Sequence, residues 1–220
     1  MHVHTFWSTD CNTSYQGLID RASARSLDCL AITDHDRIEG ALEFKERAPF
    51  PVIVGEEIKT SEGEIIGLFL REWIPPRLTP EETVTRIHDQ GGIVYVPHPF
   101  DRVRRSPIRP EALDRIVEQV DVLEVINSRN HFRADNLRAE EYAHQHSILR
   151  GAGSDAHSLH ELGHATVTLE PFGSAGEFLQ SLKGATIEGG PSLPFVHLIS
   201  SWHKFRKRRL PRLLGRSPNP

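Results

Sequence analysis

Cysteine is scarce in this sequence: Cys11 and Cys29 are the only two among 220 residues. Two thiols do not make a disulfide framework. They fit a reducing, cytoplasmic setting, with Cys29 buried in an apolar strand. Long apolar runs are lacking too. No stretch approaches the ~20 apolar residues that a membrane-spanning helix needs, and His2 and Ser8 interrupt the amino terminus too early for a signal peptide. Nor does one charge dominate. Lys and Arg number 26 against 30 Asp and Glu, and the resulting −4 gives no general reason to expect nucleic acid as the partner. Acidic residues do vanish beyond Glu188, where Lys204, Arg206, Lys207, Arg208, Arg209, Arg212 and Arg216 crowd the end. Mixed with Trp202, Phe205, Leu210, Leu213 and Leu214, they read as a partly disordered basic extension over 191–220, able to meet an acidic partner weakly.

What the chain has in excess is histidine, 13 residues, and this is the first pointer to metal. The rest of the composition, 38% apolar and 25% charged, suits a globular chain with one sizeable core.

Short apolar runs alternate with amphipathic segments. The runs at 29–33, 51–54, 65–70, 93–96, 122–126, 147–149 and 166–169 are brief and several are rich in Val and Ile, as buried parallel strands are. Helix signals lie between them. Ser14 caps a first helix, and Thr79-Pro80-Glu81-Glu82 opens another that stops at Gly91-Gly92. Pro110 opens the next, 134–146 reads as a helix, and Ser174 with Glu177 forms a second capping box. Ser61-Glu62-Gly63-Glu64 reads instead as a tight hairpin between Glu57 and Leu70. This alternation predicts an α/β fold with a parallel sheet and helices outside.

The metal-capable residues fall at strand ends. His2 and His4 lie in the first strand, two residues apart and so on one face. His35 follows CLAIT, Glu57 follows PVIVG, His98 follows IVYVP, and Asp155 and His157 follow ILRGAG. In a strand–helix barrel the carboxyl ends of the strands converge on one face, so a closed barrel explains the set better than an open sheet. Taken singly, most of these pieces have bland readings: a surface His-x-His, an exposed acidic loop at Glu56-Glu57, a helix cap at Asp36. Pro97-His98-Pro99 is more telling, because the prolines fix the backbone and aim the imidazole. GAGSDAH at 151–157 is the best single motif, since its small residues let the backbone approach closely.

Imidazoles with carboxylates suit Zn, Mn or Fe rather than a thiolate site. Two or three such divalent ions would bind phosphate oxygens and lower the pKa of a bridging water, giving hydroxide for attack on a phosphate ester. Glu124 and Asn127 end the strand VLEVIN near the mouth of the site. Arg102, Arg104, Arg105, Arg129 and His131 lie on the loops beyond, with Arg104, Arg129 and Asn127 the candidates for holding a substrate phosphate. His160 and His164 read as outlying or surface residues, and His88, His144 and His146 as surface residues on helices.

The ordered series HVHT, Asp10, ITDHD, GEE, PHPF and GSDAH resembles the PHP family, the polymerase and histidinol phosphatase domain, over roughly 1–190. The resemblance implies a single domain shaped as a distorted (β/α)7 TIM-like barrel with a trinuclear metal site. It further implies that His2, His4, Glu57 and Asp155 hold one ion and that Glu57 bridges to a second, shared with His98. Asp10, His35 and His157 would hold a third. Asp155, His157, Glu57 and His98 are the residues expected to carry catalysis, with a small phosphorylated compound or short oligonucleotide as substrate. Two departures stand out. The family usually begins Asp-Leu-His-x-His-Thr where this chain has Met-His-Val-His-Thr, so its first strand is expected to be clipped. Glu64 stands where the family often has histidine, and is expected to ligate in its place. Two other outcomes fit the sequence: a barrel that hydrolyses a non-phosphate bond, and a PHP-like binding or scaffold module with impaired catalysis.

Overall fold

The computed structural model describes residues 1–104, 106–190 and Trp202. The basic extension expected over 191–220 therefore lies outside the described residues except for the exposed Trp202. Six strands form one curled sheet in the order β1 (Leu30–Ile32), β2 (Val52–Thr60), β3 (Gly63–Leu68), β4 (Ile93–Val96), β5 (Val122–Asn127) and β6 (Leu149–Gly153). Val3 forms parallel bridges with both Ile32 and Ala156, so the amino-terminal segment is the stave that joins the two edges of the sheet. Thr33 N donates to Val3 O on one side, and His4 N donates to Ala156 O on the other. The result is a distorted TIM-like barrel of mixed α/β type. The expected first strand is present only as this bridged segment.

The sheet is not wholly parallel. Ser61 and Glu62 turn β2 straight into β3, so β3 runs antiparallel to both β2 and β4. The run at 166–169 also departs from expectation. It forms β7 (Ala165–Thr168), which pairs antiparallel with β8 (Thr186–Gly189) in a separate two-stranded sheet. The strand read at 147–149 begins at Leu149 and continues through Gly153. Gly153 is there because nothing larger fits: a Cβ would lie 1.9 Å from Glu124 Oε1 and 2.7 Å from His2 Cβ.

Helices α1 (Tyr15–Ala24), α2 (Glu39–Arg47), α3 (Pro80–Asp89), α4 (Pro110–Ile116) and α5 (Arg133–Gln145) punctuate the strands. Ser14 caps α1 by accepting from Gly17 N, and Thr79 and Glu82 form the capping box of α3. At α6 (Ala175–Leu182) Ser174 caps, but Glu177 accepts from Gly173 N, so a capping box is not completed there. Asp36 does not cap α2. Its Oδ1 accepts from Lys59 N at 2.8 Å, and Ile38 occupies the cap position.

Strand periodicity divides the core in two. Leu30, Ile32, Val54, Ile58, Val94, Val96, Leu123 and Val125 face the helices, while Ala31, Ile53, Ile93, Tyr95 and Val122 face into the barrel with Phe178 and Leu182 of α6 against them. Among the described residues no helix is long and apolar enough to cross a membrane. Cys11 and Cys29 are not joined in a disulfide.

Candidate metal centre

The barrel interior is apolar for its lower half and polar above. Beyond Ile53 on the same face of β2 comes Glu57, and with it His2, His4, His98, Glu124 and Asp155, all at most 1% exposed. The ladder between β1 and β2 continues upward through a bridge between His35 and Glu57, which sets those two side by side.

Four donors surround one point. His2 Nε2 lies 3.3 Å from Glu57 Oε2 and 3.5 Å from Asp155 Oδ1, and His4 Nε2 stands at the same distances from the same oxygens. Ligands on bonds of ~2.0–2.1 Å around one ion are separated by edges of ~3.3–3.4 Å, so these four imidazole–carboxylate spacings are those of groups able to share an ion, and His2, His4 and Asp155 form one such set. Hydrogen accounting points the same way. Ser8 Oγ donates its single hydrogen to Asp34 Oδ1 at 2.5 Å, so the 3.1 Å contact between Ser8 Oγ and His4 Nδ1 has the ring as donor. His4 Nε2 therefore carries a bare lone pair, buried, aimed at two carboxylate oxygens and without a hydrogen-bond partner. Burial, with His157 and His35 nearby, holds the His4 pKa well below the usual imidazole value and keeps the ring neutral. A lone pair facing two anionic oxygens is repulsive unless a cation lies between them.

His2 is set by Glu124, whose Oε1 lies 3.1 Å from His2 Nδ1. Glu124 also accepts from Tyr95 Oη at 2.9 Å, from His98 N at 2.8 Å and from Asn127 Nδ2 at 2.8 Å. A carboxylate behind an imidazole in this way orients a ligating histidine and raises its basicity. Burial opposes charge on His2, but Asp155, Glu57 and Glu124 outweigh it and raise its pKa well above the ordinary value. A cation at Nε2 would displace that proton. Burial likewise opposes charge on Glu57 and Asp155. His2 and His35 nevertheless hold Glu57 well below the carboxylate range, and Arg104 and His2 do the same for Asp155. Three residues of the cluster, His2, His98 and Asp155, have φ of 62°, 32° and 50°. Each such non-glycine conformation costs ~1–3 kcal/mol, strain that the surrounding packing must hold in place.

Glu57 spans to a second group. Its Oε1 lies 3.1 Å from His98 Nε2, which is 3.8 Å from Glu64 Oε2. His35 Nδ1 approaches Glu57 Oε2 at 3.0 Å. Burial and the charge of Glu57 raise the Glu64 pKa. A third group lies nearer the mouth: Asp10 Oδ1 is 3.6 Å from His35 Nε2 and 3.4 Å from His157 Nε2, with the His35 and Asp10 side chains 24% and 16% exposed. Burial opposes charge on His35, but Glu57 and Asp10 push its pKa up to about 10. All nine residues singled out as metal ligands thus converge. Asp10 Oδ1 and Asp155 Oδ1, like His4 Nε2, are buried without hydrogen-bond partners, which is how atoms waiting for a cation would look.

The residues expected to hold a phosphate are placed unequally. Arg104, 18% exposed, pairs with Asp155 and lies 3.4 Å from Asp101. Arg129 is buried, with NH1 2.6 Å from His157 Nδ1 and Nε 3.2 Å from Glu161 Oε1. Asn127 Nδ2 contacts Glu124 and, at 3.3 Å, Asp155 Oδ2, so it braces both carboxylates. Arg102 is paired with Asp135 at 2.7 Å, and Arg105 lies outside the described residues. His88, His131, His144, His146 and His160 are exposed, and His164 is half-buried. Sequence reasoning gave no role to Ser8, Asp34 or Glu161 and left Glu124 without one. An acid inside the apolar strand VLEVIN was a usable signal for Glu124; Ser8 and Glu161, on loops, carried none.

The PHP domain model matches residues 1–102, and a PHP-associated model matches residues 133–187. An uncharacterized protein of Methanocaldococcus jannaschii is 37% identical over 198 residues, covering 86% of this chain and 80% of the relative. Among solved structures, PsfC from Pseudomonas syringae superposes with a TM-score of 0.67 at 17% identity, over 93% of this chain and 96% of that one. Endonuclease Q in complex with a 27-mer duplex bearing an abasic lesion gives 0.59 at 15% identity, over 84% and 55% of the two chains. At such identities the structures speak for the fold alone, whereas the two family models between them contain every candidate ligand and the archaeal relative aligns over most of its length. This chain belongs to the PHP family.

Proposed function

We propose that the chain is a metal-dependent hydrolase of phosphate esters, acting on a phosphomonoester, a nucleotide or a short oligonucleotide, from a domain ending near residue 190. His2, His4, Glu57 and Asp155 would hold one divalent ion. Glu57 would bridge to a second, with His98 and Glu64, and Asp10, His35 and His157 would take a third. The observation that carries this reading is the His4 lone pair facing two carboxylates, fixed by the Ser8–Asp34 contact behind it. When bound, divalent ions supply a water of lowered pKa and neutralise charge on phosphoryl oxygens.

The protein's own groups do the rest. Glu124 and Ser8 orient the two buried imidazoles, and Asn127 steadies Glu124 and Asp155. Arg104 is the partly exposed cation beside the cluster and would turn from Asp155 to bind a phosphate oxygen. Arg129, tied between His157 and Glu161, holds His157 in place. The PHP family membership supports phosphoester chemistry, and the DNA-bound endonuclease Q, sharing this fold, brings a phosphodiester into the substrate range. Phosphate release and oligonucleotide cleavage, measured with added Mn²⁺ across a substrate panel, test the reading. Turnover that disappears on chelation and in Asp155→Asn is expected. A metal-loaded parent that cleaves no phosphate ester would overturn it.

A further inference from the structure

Arg37, Arg47, Arg138 and Arg102 lie over the rings of Trp7, Tyr15, Phe100 and Phe132 respectively. The first three rings are fixed by other neighbours. Trp7 Nε1 donates to Tyr15 Oη at 2.9 Å, Tyr15 packs on Phe44, and Phe100 packs on Tyr142. Phe132 differs. It is 49% exposed and, among the described residues, belongs to neither apolar cluster of the core. A ring left half in water contributes little to folding through burial.

The guanidinium above it is locked in place. Arg102 Cζ lies 5.2 Å from the Phe132 ring centroid. Its Nε donates to Asp135 Oδ1 at 2.8 Å, its NH2 lies 2.7 Å from the same oxygen, and its backbone N donates to Asp135 Oδ2 at 3.4 Å. The Asp135 side chain is 1% exposed and that of Arg102 60%. Asp135 stands in the first turn of α5, and its N donates to Phe132 O at 3.0 Å. One buried carboxylate thus pins a cation from the β4–α4 loop against the ring that opens α5. Both loops also serve the centre. Asp101 N donates to His98 O, Asp101 Oδ1 accepts from Val103 N and Arg104 N, and Arg104 pairs with Asp155. Arg102 is two residues from Arg104, no more than ~7 Å of chain. Phe132 follows by three residues Arg129, which contacts His157. The ring and guanidinium form a flat, half-exposed surface at the rim, a separation that the sugar of one nucleotide can bridge.

We propose that Phe132 and Arg102 form a stacking platform for a nucleobase of the substrate, and so make the centre select nucleotides, free or in an unpaired strand, over phosphate esters that lack a base. The inference rests on the phosphate-ester reading above and narrows it. Aromatic rings and guanidinium planes stack on bases of any identity, so the platform confers a preference for a class of compound and not for a sequence. Asp135 already holds Arg102 in its stacked position, which leaves little conformational freedom to be lost on binding. Bases inside a duplex have both faces occupied by their neighbours, and the platform is closed to them.

The test measures kcat and KM of the full chain, with added Mn²⁺, on adenosine 5′-monophosphate, a short single-stranded oligoadenylate, the same strand in a duplex, and ribose 5-phosphate. The parent is expected to favour a base-bearing substrate over ribose 5-phosphate by at least ~10-fold in kcat/KM. Preference for the free nucleotide or for the single strand supports the platform equally and tells which of them supplies the base. Phe132→Ala should lower the preference at least ~5-fold, mainly through KM, and Phe132→Trp should keep it. Phe132→Leu, which retains apolar bulk without the ring, serves equally if the alanine variant does not fold. Arg102→Lys, which keeps the charge and loses the plane, should lower the preference by a smaller factor. A parent that turns over ribose 5-phosphate as readily as the base-bearing substrates, an unchanged preference in Phe132→Ala, or a duplex cut faster than the single strand overturns the platform and leaves the phosphoesterase standing. A parent that hydrolyses no phosphate ester overturns both the platform and the reading beneath it.

Discussion

Glu56 and Glu57 are consecutive on β2 and equally buried, yet the two faces of the strand treat them oppositely. Glu57 points into the barrel. Burial works against its charge, but His2 and His35 hold its pKa well below the carboxylate range. Glu56 points outward, where its Oε2 accepts from Ile74 N at 3.0 Å and its Oε1 is without a hydrogen-bond partner. Burial, assisted by Asp36 and Glu39, pushes its pKa up to about 8. Burial by itself therefore does not make an anionic site. What separates a carboxylate able to receive cations from a neutral structural acid is the company on its face of the strand.

The sharpest way to break this contrast is to neutralise each residue in turn. Glu57→Gln should remove bound metal and lower kcat/KM by about 10³-fold or more, because the carboxylate shared by two groups is gone. Glu56→Gln should change kcat/KM by less than about 3-fold. Equal losses in the two variants, by metal content and steady-state kinetics, would collapse the contrast.

Stability separates them in the other direction. Glu56 has a folded pKa raised to about 8 against ~4.5 unfolded, so its contribution is complete below ~4.5 and is lost as pH rises through 8. Glu56→Gln, neutral throughout, should come close to the parent near pH 4.5 and exceed it by roughly 5 kcal/mol at pH 9 in urea melts. A constant difference across that range would remove the assignment of Glu56 as a neutral acid. Next in size is Glu124→Gln, which weakens the support behind His2 and His98. Metal affinity should fall ~10–100-fold with the circular dichroism spectrum unchanged. The smallest effect is expected at the exposed end of the centre: Asp10→Asn should cost about 10-fold in kcat/KM and leave the ions of the buried groups in place. Loss of all bound metal in that variant would show that the mouth and the floor of the centre are not separable.

Much of this could be read from residue patterns because strands announce themselves locally. The run at 93–96 matches β4, the hairpin at Ser61 and Glu62 turns where expected, and Thr79 and Glu82 cap α3. The convergence of His35, Glu57, His98, Asp155 and His157 followed from their position after apolar runs and that of His2 and His4 from one strand face, whereas Asp10 and Glu64 entered through the family resemblance. What stayed hidden depends on contacts distant in sequence. Gly153 read as a small residue that allows close approach, but that Glu124 and His2 are the groups leaving no room for a side chain there is visible only in the fold. The antiparallel pairing of β7 with β8 sets Thr168 against Thr186 and Ala165 against Gly189, partners that no local signal names. Ser8 matters through Asp34 on another stave, and nothing about an isolated serine reveals that it fixes the proton of His4.

The central claim is that the buried imidazoles and carboxylates form a receptor for cations. Its most direct test is the metal content of the chelator-stripped chain after reloading with Mn²⁺ and Zn²⁺ and desalting, measured for the parent, Glu57→Gln and Glu56→Gln together. The account predicts about two or more ions per chain in the parent and in Glu56→Gln, and loss of most of them in Glu57→Gln. A parent that retains no metal, or a Glu57→Gln variant that retains as much as the parent, would contradict it.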